Sequence, residues 1–239
     1  MASSRFPGSV DSSGNPYLPH YPDLVEQGGL RAAILSMARE QQVSLGIAAD
    51  EGRLTSQEWS GAEFASPRGV MRIVLGRGSR RFAITLDSDI GHVWASGSTA
   101  SLHKAVEVLS FWLREGRLRD LANQFPFMEF DRLSLAYEDG NPVEVQWEII
   151  IGDDSFLLYR DLLLALHADA NLRVMFPFFS HWTLRMLKDC YDPQAGEICI
   201  KLEPGKGFVI FSSSTPEQKF EFIRIDDLIR VAASMLGDL

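Results

Sequence analysis

The chain reads as an α+β protein built from two α-β4-α units whose sheets are antiparallel meanders, joined by a helical middle segment. Three observations predict this. Apolar residues recur with period two over 58–95 and again over 182–225, with turn residues at short intervals. Amphipathic helical stretches flank each of these regions. The order of periodicities is the same in both halves, so the chain reads as a tandem repeat resting on pattern, without residue-level identity between the halves.

The size supports this reading. At 239 residues, 46% hydrophobic and 23% charged, the chain can bury one large core or two smaller ones. We divide it into a leader over 1–20, a first α-β4-α unit over 21–117, a helical connector over 118–154 and a second unit over 155–239. The leader is rich in Ser, Gly and Pro and has no apolar core of a signal peptide. No stretch approaches the ~18 apolar residues of a membrane span. A cytoplasmic location with no membrane partner is therefore expected.

In the first unit, Pro22-Asp23 opens a helix whose Leu30, Ile34, Met37 and Ala38 fall on one face. Strands are expected at 59–65, 70–76, 81–87 and 92–96, with Gly76-Arg77-Gly78-Ser79 and Asp89-Ile90-Gly91 as hairpin connections. Arg77-Gly78-Ser79-Arg80 reads as a solvated tip. Ser98-Thr99 then supplies caps for a helix striped by Leu102, Ala105, Val106, Leu109 and Leu113.

The connector holds a short helix over 118–124, the Phe125-Pro126-Phe127 plug and a helix over 131–138. Val143, Val145, Trp147, Ile149 and Ile151 alternate like a strand, yet Asn141-Pro142-Val143-Glu144 is a helix start with proline at the first helical position. Helix is the reading taken. Ser155 opens a helix over 155–168 that is apolar almost all round, which places it between layers or in a subunit interface, such as that of a homodimer.

Next comes Phe176-Pro177-Phe178-Phe179-Ser180-His181-Trp182, read as a hinge: proline should end the preceding helix near Met175, and a strand should start at Trp182. Strands over 182–188, 197–202, 207–212 and 219–225 follow, and Asp226-Asp227 caps the last helix.

The net charge of −9 excludes a general nucleic-acid binder, which needs a concentrated basic face. No phosphate-binding loop, dinucleotide fingerprint, nucleophile elbow or zinc-protease helix is present, and the five histidines show no metal-ligand spacing, so neither cofactor nor metal is implied. Cys190 and Cys199 flank a turn that could bring two strands together. Reduced thiols are the better reading without a cysteine framework.

His181 is the one weak candidate for acid-base work. It is read first as structural, since adjacent strand residues such as Ser180 and His181 point to opposite faces. Asp153-Asp154 and Asp226-Asp227 are read as helix-start charges and not as paired catalytic carboxylates. Arg68, Phe176, Phe178, Ser180, His181 and Trp182 form the ligand-site candidate: Arg68 offers a planar fork to a carboxylate or phosphate, and His181 can donate or accept a proton.

Ala65-Ser66-Pro67-Arg68-Gly69, Gly97-Ser98-Thr99, Trp112-Leu113, Phe125-Pro126-Phe127, Phe176-Pro177 and Ser180-His181-Trp182-Thr183-Leu184 together resemble an uncharacterised actinobacterial family associated loosely with natural-product biosynthesis. The resemblance runs over 21–187 and thins afterwards. It implies a cytoplasmic accessory protein of such a pathway and transfers no catalytic residues. The expected function is thus a non-catalytic binding or accessory protein that holds a small molecule, a peptide or a partner enzyme. The alternatives are a metal-independent cyclase, isomerase or hydrolase using Ser180, His181, Cys190 and Tyr191, and a toxin-neutralising immunity protein.

Overall fold

The structure is a computed structural model that describes residues 19–47, 59–192 and 194–238. All but the last two residues of the expected leader lie outside the described residues. The chain divides into two compact units at Asp131 and Arg132.

In the first unit, helix α1 (Pro22–Glu26) and helix α2 (Leu30–Glu40) replace the single helix expected there. The break falls at Gly28 and Gly29, whose φ values of 84° and 107° a residue with a Cβ rarely adopts. A six-stranded antiparallel sheet then runs in simple sequence order. Its strands are β1 (Gly46–Ile47), β2 (Gly61–Ser66), β3 (Gly69–Leu75), β4 (Phe82–Asp87), β5 (Val93–Thr99) and β6 (Met128–Glu129). The four expected strands are β2 to β5, and the two-residue β1 and β6 extend the meander at its edges.

Alternation sends Phe64, Met71, Ile73, Phe82, Ile84 and Leu86 into one core with α2 and with helix α3 (Leu102–Leu113). On the other face Arg72 bridges Glu63 and Asp87, each at 2.7 Å. The cap of α3 is Ser101, whose hydroxyl accepts the Lys104 N–H; Ser98 and Thr99 stay in β5, because the strand continues until Thr99 has paired with Phe82. Helix α4 (Leu118–Gln124) ends at the buried Phe125, whose carbonyl accepts the Met128 N–H at 2.8 Å and turns the chain into β6.

The β3–β4 tip is held from inside. The Tyr21 hydroxyl lies 2.9 Å from the carbonyls of Gly76 and Arg81, and it accepts the Arg81 N–H at 2.9 Å. Arg80 clamps Asp23 through both guanidinium NH groups at 2.6 and 2.8 Å, so its charge is not spent on solvent as the sequence suggested.

The second unit starts with helices α5 (Arg132–Asp139) and α6 (Pro142–Gly152). In α6 the buried positions are Pro142, Gln146, Trp147 and Ile150, which is helical spacing. The strand-like alternation of its valines and isoleucines is overridden by the proline start. The expected helix over 155–168 is instead a 3-10 helix (Asp154–Tyr159) followed by helix α7 (Arg160–Ala168). It buries only one side: Leu162, Leu163 and Leu166 are in the core, while Leu158 is 81% exposed and Leu157 and Leu164 are also exposed. The 3-10 turn, kinked at Phe156, rotates Leu157 and Leu158 off the core-facing stripe.

The second sheet has five antiparallel strands in sequence order: β7 (Phe176–Ser180), β8 (Thr183–Leu187), β9 (Glu197–Glu203), β10 (Gly207–Ser212) and β11 (Phe220–Phe222). The expected hinge is therefore a strand. Pro177 is tolerated because β7 lies at the sheet edge, where a missing N–H breaks no ladder. The helix before it ends at Ala168, seven residues before Met175, because the Asp169 carboxylate caps the N–H groups of Asn171 and Leu172 and turns the chain. Helix α8 (Ile225–Met235) carries Asp226 and Asp227 in its first turn, two and three positions inside its N-cap, Arg224. Tyr159 repeats the role of Tyr21: its hydroxyl donates to the Trp182 carbonyl at 2.7 Å and accepts the Leu202 N–H at 3.0 Å. Both cysteines are free and buried, and among the described residues no helix is long and apolar enough to cross a membrane.

Removing either hydroxyl leaves a partly buried backbone N–H without its acceptor. Tyr21→Phe and Tyr159→Phe should each lower the stability of their unit by about 1–3 kcal/mol. Urea unfolding followed by circular dichroism checks this, and midpoints equal to that of the parent chain would remove the plug role from the tyrosines.

Candidate functional site

A recess of about 600 Å³ lies in the second unit, where the α5–α6 turn faces the end of α7 and the β8–β9 loop. Gly140, with φ 81°, ends α5, and the Asn141 N–H closes it on the Ala136 carbonyl at 2.9 Å. Asn141 then starts α6 without capping it by its side chain, so the first turn of the helix, with Val143 and Glu144 at the recess wall, has no side-chain cap.

Trp147, fully buried, reaches from α6 to the opposite wall. Its indole N–H lies 2.8 Å from the Arg173 carbonyl and 3.1 Å from that of Met175. That tether fixes the backbone of the 169–175 segment and leaves the Arg173 side chain exposed at the mouth. No hydrogen bond or ion pair among the described residues engages the Arg173 guanidinium. His167, in the last turn of α7, lies 3.9 Å from the Glu144 carboxylate and packs its ring 5.4 Å from that of Trp147.

The remaining wall is Val174, 63% exposed, and Tyr191, 51% exposed, whose ring stands edge-on to Tyr137 at 5.7 Å. Cys190 is hydrogen-bonded to Tyr137, and burial, helped by the nearby Asp189 charge, pushes its thiol up. The thiol therefore stays protonated at neutral pH, which makes it a poor nucleophile. Cys199, on β9, is driven up to about 11 by burial and by the Glu197 charge. The recess can thus offer one unpaired cation, a helix start, a carboxylate and an apolar wall. That is binding chemistry.

The residues singled out from the sequence are dispersed. Arg68 belongs to the first unit, and Phe176, Phe178, Ser180, His181 and Trp182 to the second. The Arg68 guanidinium donates to the Gly116 carbonyl and lies over the Trp112 ring, 3.5 Å from its centroid, so its fork is spent on the fold. Next to it, Gly69 has φ 123°, and a Cβ there would stand 2.2 Å from the Asp87 carbonyl oxygen, so the turn admits only glycine. Phe176 is buried against Tyr137, and Phe178 stacks under Arg185, which is paired with the buried Glu197.

Ser180 and His181 do meet, with Oγ 3.2 Å from Nδ1. The opposite-faces argument fails for this pair because His181 has left the strand. With Trp182 it forms the two-residue β7–β8 turn, at φ 50° and 61°. The pair is exposed at a hairpin tip.

Of the residues that line the recess, Cys190 and Tyr191 were weighed in the sequence, whereas Glu144 was read only as a helix-start charge, and His167 and Arg173 carried no signal beyond their positive or titratable side chains. A further contact also escaped notice: Ser88 Oγ lies 2.8 Å from His92 Nδ1 across the β4–β5 turn. Ser88 also accepts the His92 backbone N–H at 2.9 Å, so the hydroxyl closes the turn, and the His92 ring packs 4.3 Å from Trp94. Among the described residues no three His, Cys, Asp or Glu side chains gather to hold a metal ion.

Comparisons of the chain with protein-family models, with curated proteins and with solved structures give no match.

Two measurements test these local readings. A two-residue hairpin turn with both φ values positive favours Asn-Gly, so the double variant His181→Asn, Trp182→Gly should be more stable than the parent by about 1 kcal/mol; a loss of stability in urea would show that the two side chains contribute more than their backbone strain costs. Burial holds the His92 imidazole below its usual value of 6.5, against the opposing pull of Asp131. The unfolded chain then binds more protons, so the contribution of His92 is full above pH 6.5 and is lost as pH falls through the depressed value. His92→Gln should accordingly show a smaller drop in Tm between pH 7 and pH 5 than the parent, and parallel curves would refute this.

Proposed function

We propose that the chain is a non-catalytic binding protein that holds a small anionic molecule in the recess of its second unit, as an accessory of a natural-product biosynthetic pathway in the cytoplasm. The observation that carries this reading is the Arg173 guanidinium, standing at the mouth of the recess with no partner among the described residues. A lone cation beside an uncapped helix start and an apolar wall fits a carboxylate or phosphate attached to an apolar body. The resemblance of 21–187 to a biosynthesis-associated family supports the pathway context. The net charge of −9 suits a small-molecule or protein partner better than a nucleic acid.

The enzyme alternative draws less support from the geometry. Ser180 and His181 sit on an exposed turn, while Cys190, in the recess, is held protonated.

Arg173→Gln should weaken binding of an anionic probe such as 3-phenylpropionate about 10- to 100-fold, the worth of charge-assisted hydrogen bonds. Its effect on folding should be small, because the side chain is exposed. Isothermal titration calorimetry on the full chain reads the first, thermal unfolding the second. Native mass spectrometry of the protein purified from its own host should show a bound small-molecule mass. Affinity unchanged by Arg173→Gln, or no response to carboxylate and phosphate probes together with no bound mass, would reject the reading.

A further inference from the structure

Resting on the anion-binding reading, we infer that the recess selects a zwitterion: an α-amino acid, or the free end of a peptidic compound, carrying an apolar side chain. Two opposite charges and one apolar surface share the same wall. Arg173 supplies the cation for a carboxylate. Glu144 supplies the anion, 64% exposed at its side chain and only loosely matched by His167 at 3.9 Å, a separation too long for a hydrogen bond. At that separation the carboxylate keeps unfilled acceptor positions, and a ligand ammonium group, with three donors, fits them.

The two charges are held in place independently of any ligand. Glu144 sits in the first turn of α6, favoured there by the helix dipole. The Arg173 backbone is tied to the same helix one turn further on, through the Trp147 indole. Cation and anion are thus presented from one rigid frame yet show no ion pair with each other. A site for a simple anion gains nothing from Glu144, whose charge repels the ligand; a site for a zwitterion uses both.

The third element is the exposed apolar pair. Val174 and Tyr191 are 63% and 51% exposed, more than large apolar residues need be on a wall that also carries buried partners. They provide the contact for an apolar or aromatic side chain attached between the two charged groups.

Calorimetry on the full chain at pH 7 with four probes decides the matter. Phenylalanine should bind at least tenfold tighter than 3-phenylpropionate, which lacks the ammonium, than phenethylamine, which lacks the carboxylate, and than glycine, which lacks the apolar part. Glu144→Gln should erase the preference for phenylalanine over 3-phenylpropionate while leaving the affinity for 3-phenylpropionate equal or higher. Circular dichroism confirms that this exposed substitution leaves the fold intact. If 3-phenylpropionate binds as tightly as phenylalanine to the parent chain, the zwitterion inference is wrong and the anion-binding reading stands. If phenethylamine binds tightest, or if no probe binds, both are wrong. Glycine binding equal to phenylalanine removes the apolar element and overturns the inference as stated.

Discussion

The second unit depends on one interaction, the N–H of the buried Trp147 shared between the carbonyls of Arg173 and Met175. An indole in a core must place its donor, and the chain meets that demand by bringing the end of the α7–β7 connection against α6. Three consequences follow from the single contact. Strand β7 starts at the sheet edge where Pro177 does no harm. Leu172 and Met175 turn into the core. Arg173, lying between them, is left exposed with nothing among the described residues to neutralise it. Truncating the indole would lose packing and leave two carbonyls unsatisfied, so the candidate site and the stability of this unit share one residue.

Each unit solves a second problem in the same way. A meander has several hairpin ends whose backbone groups are partly enclosed, and a tyrosine at a helix start supplies both a donor and an acceptor to them. Tyr21 precedes α1 and serves the β3–β4 tip; Tyr159 precedes α7 and joins the β7–β8 turn to the end of β9. Each ring also meets a strand phenylalanine edge-on, Phe82 at 5.7 Å and Phe179 at 5.0 Å. The tandem pattern thus has a shared physical device, although the two halves differ around it.

Much of this architecture was legible because burial on one face of a meander imposes period two, and the helix faces impose their own spacing. Positions such as Phe64, Met71, Ile73 and Ile84 could be placed from the pattern alone. Local competition was harder to read. At Phe176-Pro177, proline suggested a break, but proline is also acceptable on an edge strand, and edge status depends on the order of strands in the finished sheet. At 155–168, continuous apolarity suggested all-round burial, whereas a 3-10 turn takes Leu157 and Leu158 out of register. Arg68 looked like a ligand fork because a sequence does not show that Trp112 and the Gly116 carbonyl, more than forty positions away, would occupy it. The recess was illegible for the same reason: Glu144, His167, Arg173 and Tyr191 come from four separate segments, and the Trp147 tether that brings the Arg173 segment to α6 does not show in the sequence.

The position of the recess within the tandem pattern is itself informative. The repeated parts, a helix packed on a meander, have their charged residues committed: Arg72 to Glu63 and Asp87, Arg80 to Asp23, Arg185 to Glu197. Their side chains close the fold, and an arginine already bidentate to a carboxylate has its charge neutralised, so it offers a ligand anion little. The α5–α6 pair is the part of the second unit that the first lacks ahead of its meander, and the recess is lined from the turn between those two helices. An added helix pair need not satisfy the alternation of a sheet, so it can leave Glu144 and a helix start exposed at little cost to the core. Glu144 belongs to this added pair, whereas Arg173 belongs to the connection that the pair tethers. Binding chemistry therefore arises where the second unit departs from the repeat, and a loss of Glu144 or Arg173 should affect ligand affinity while the committed ion pairs continue to hold the sheets.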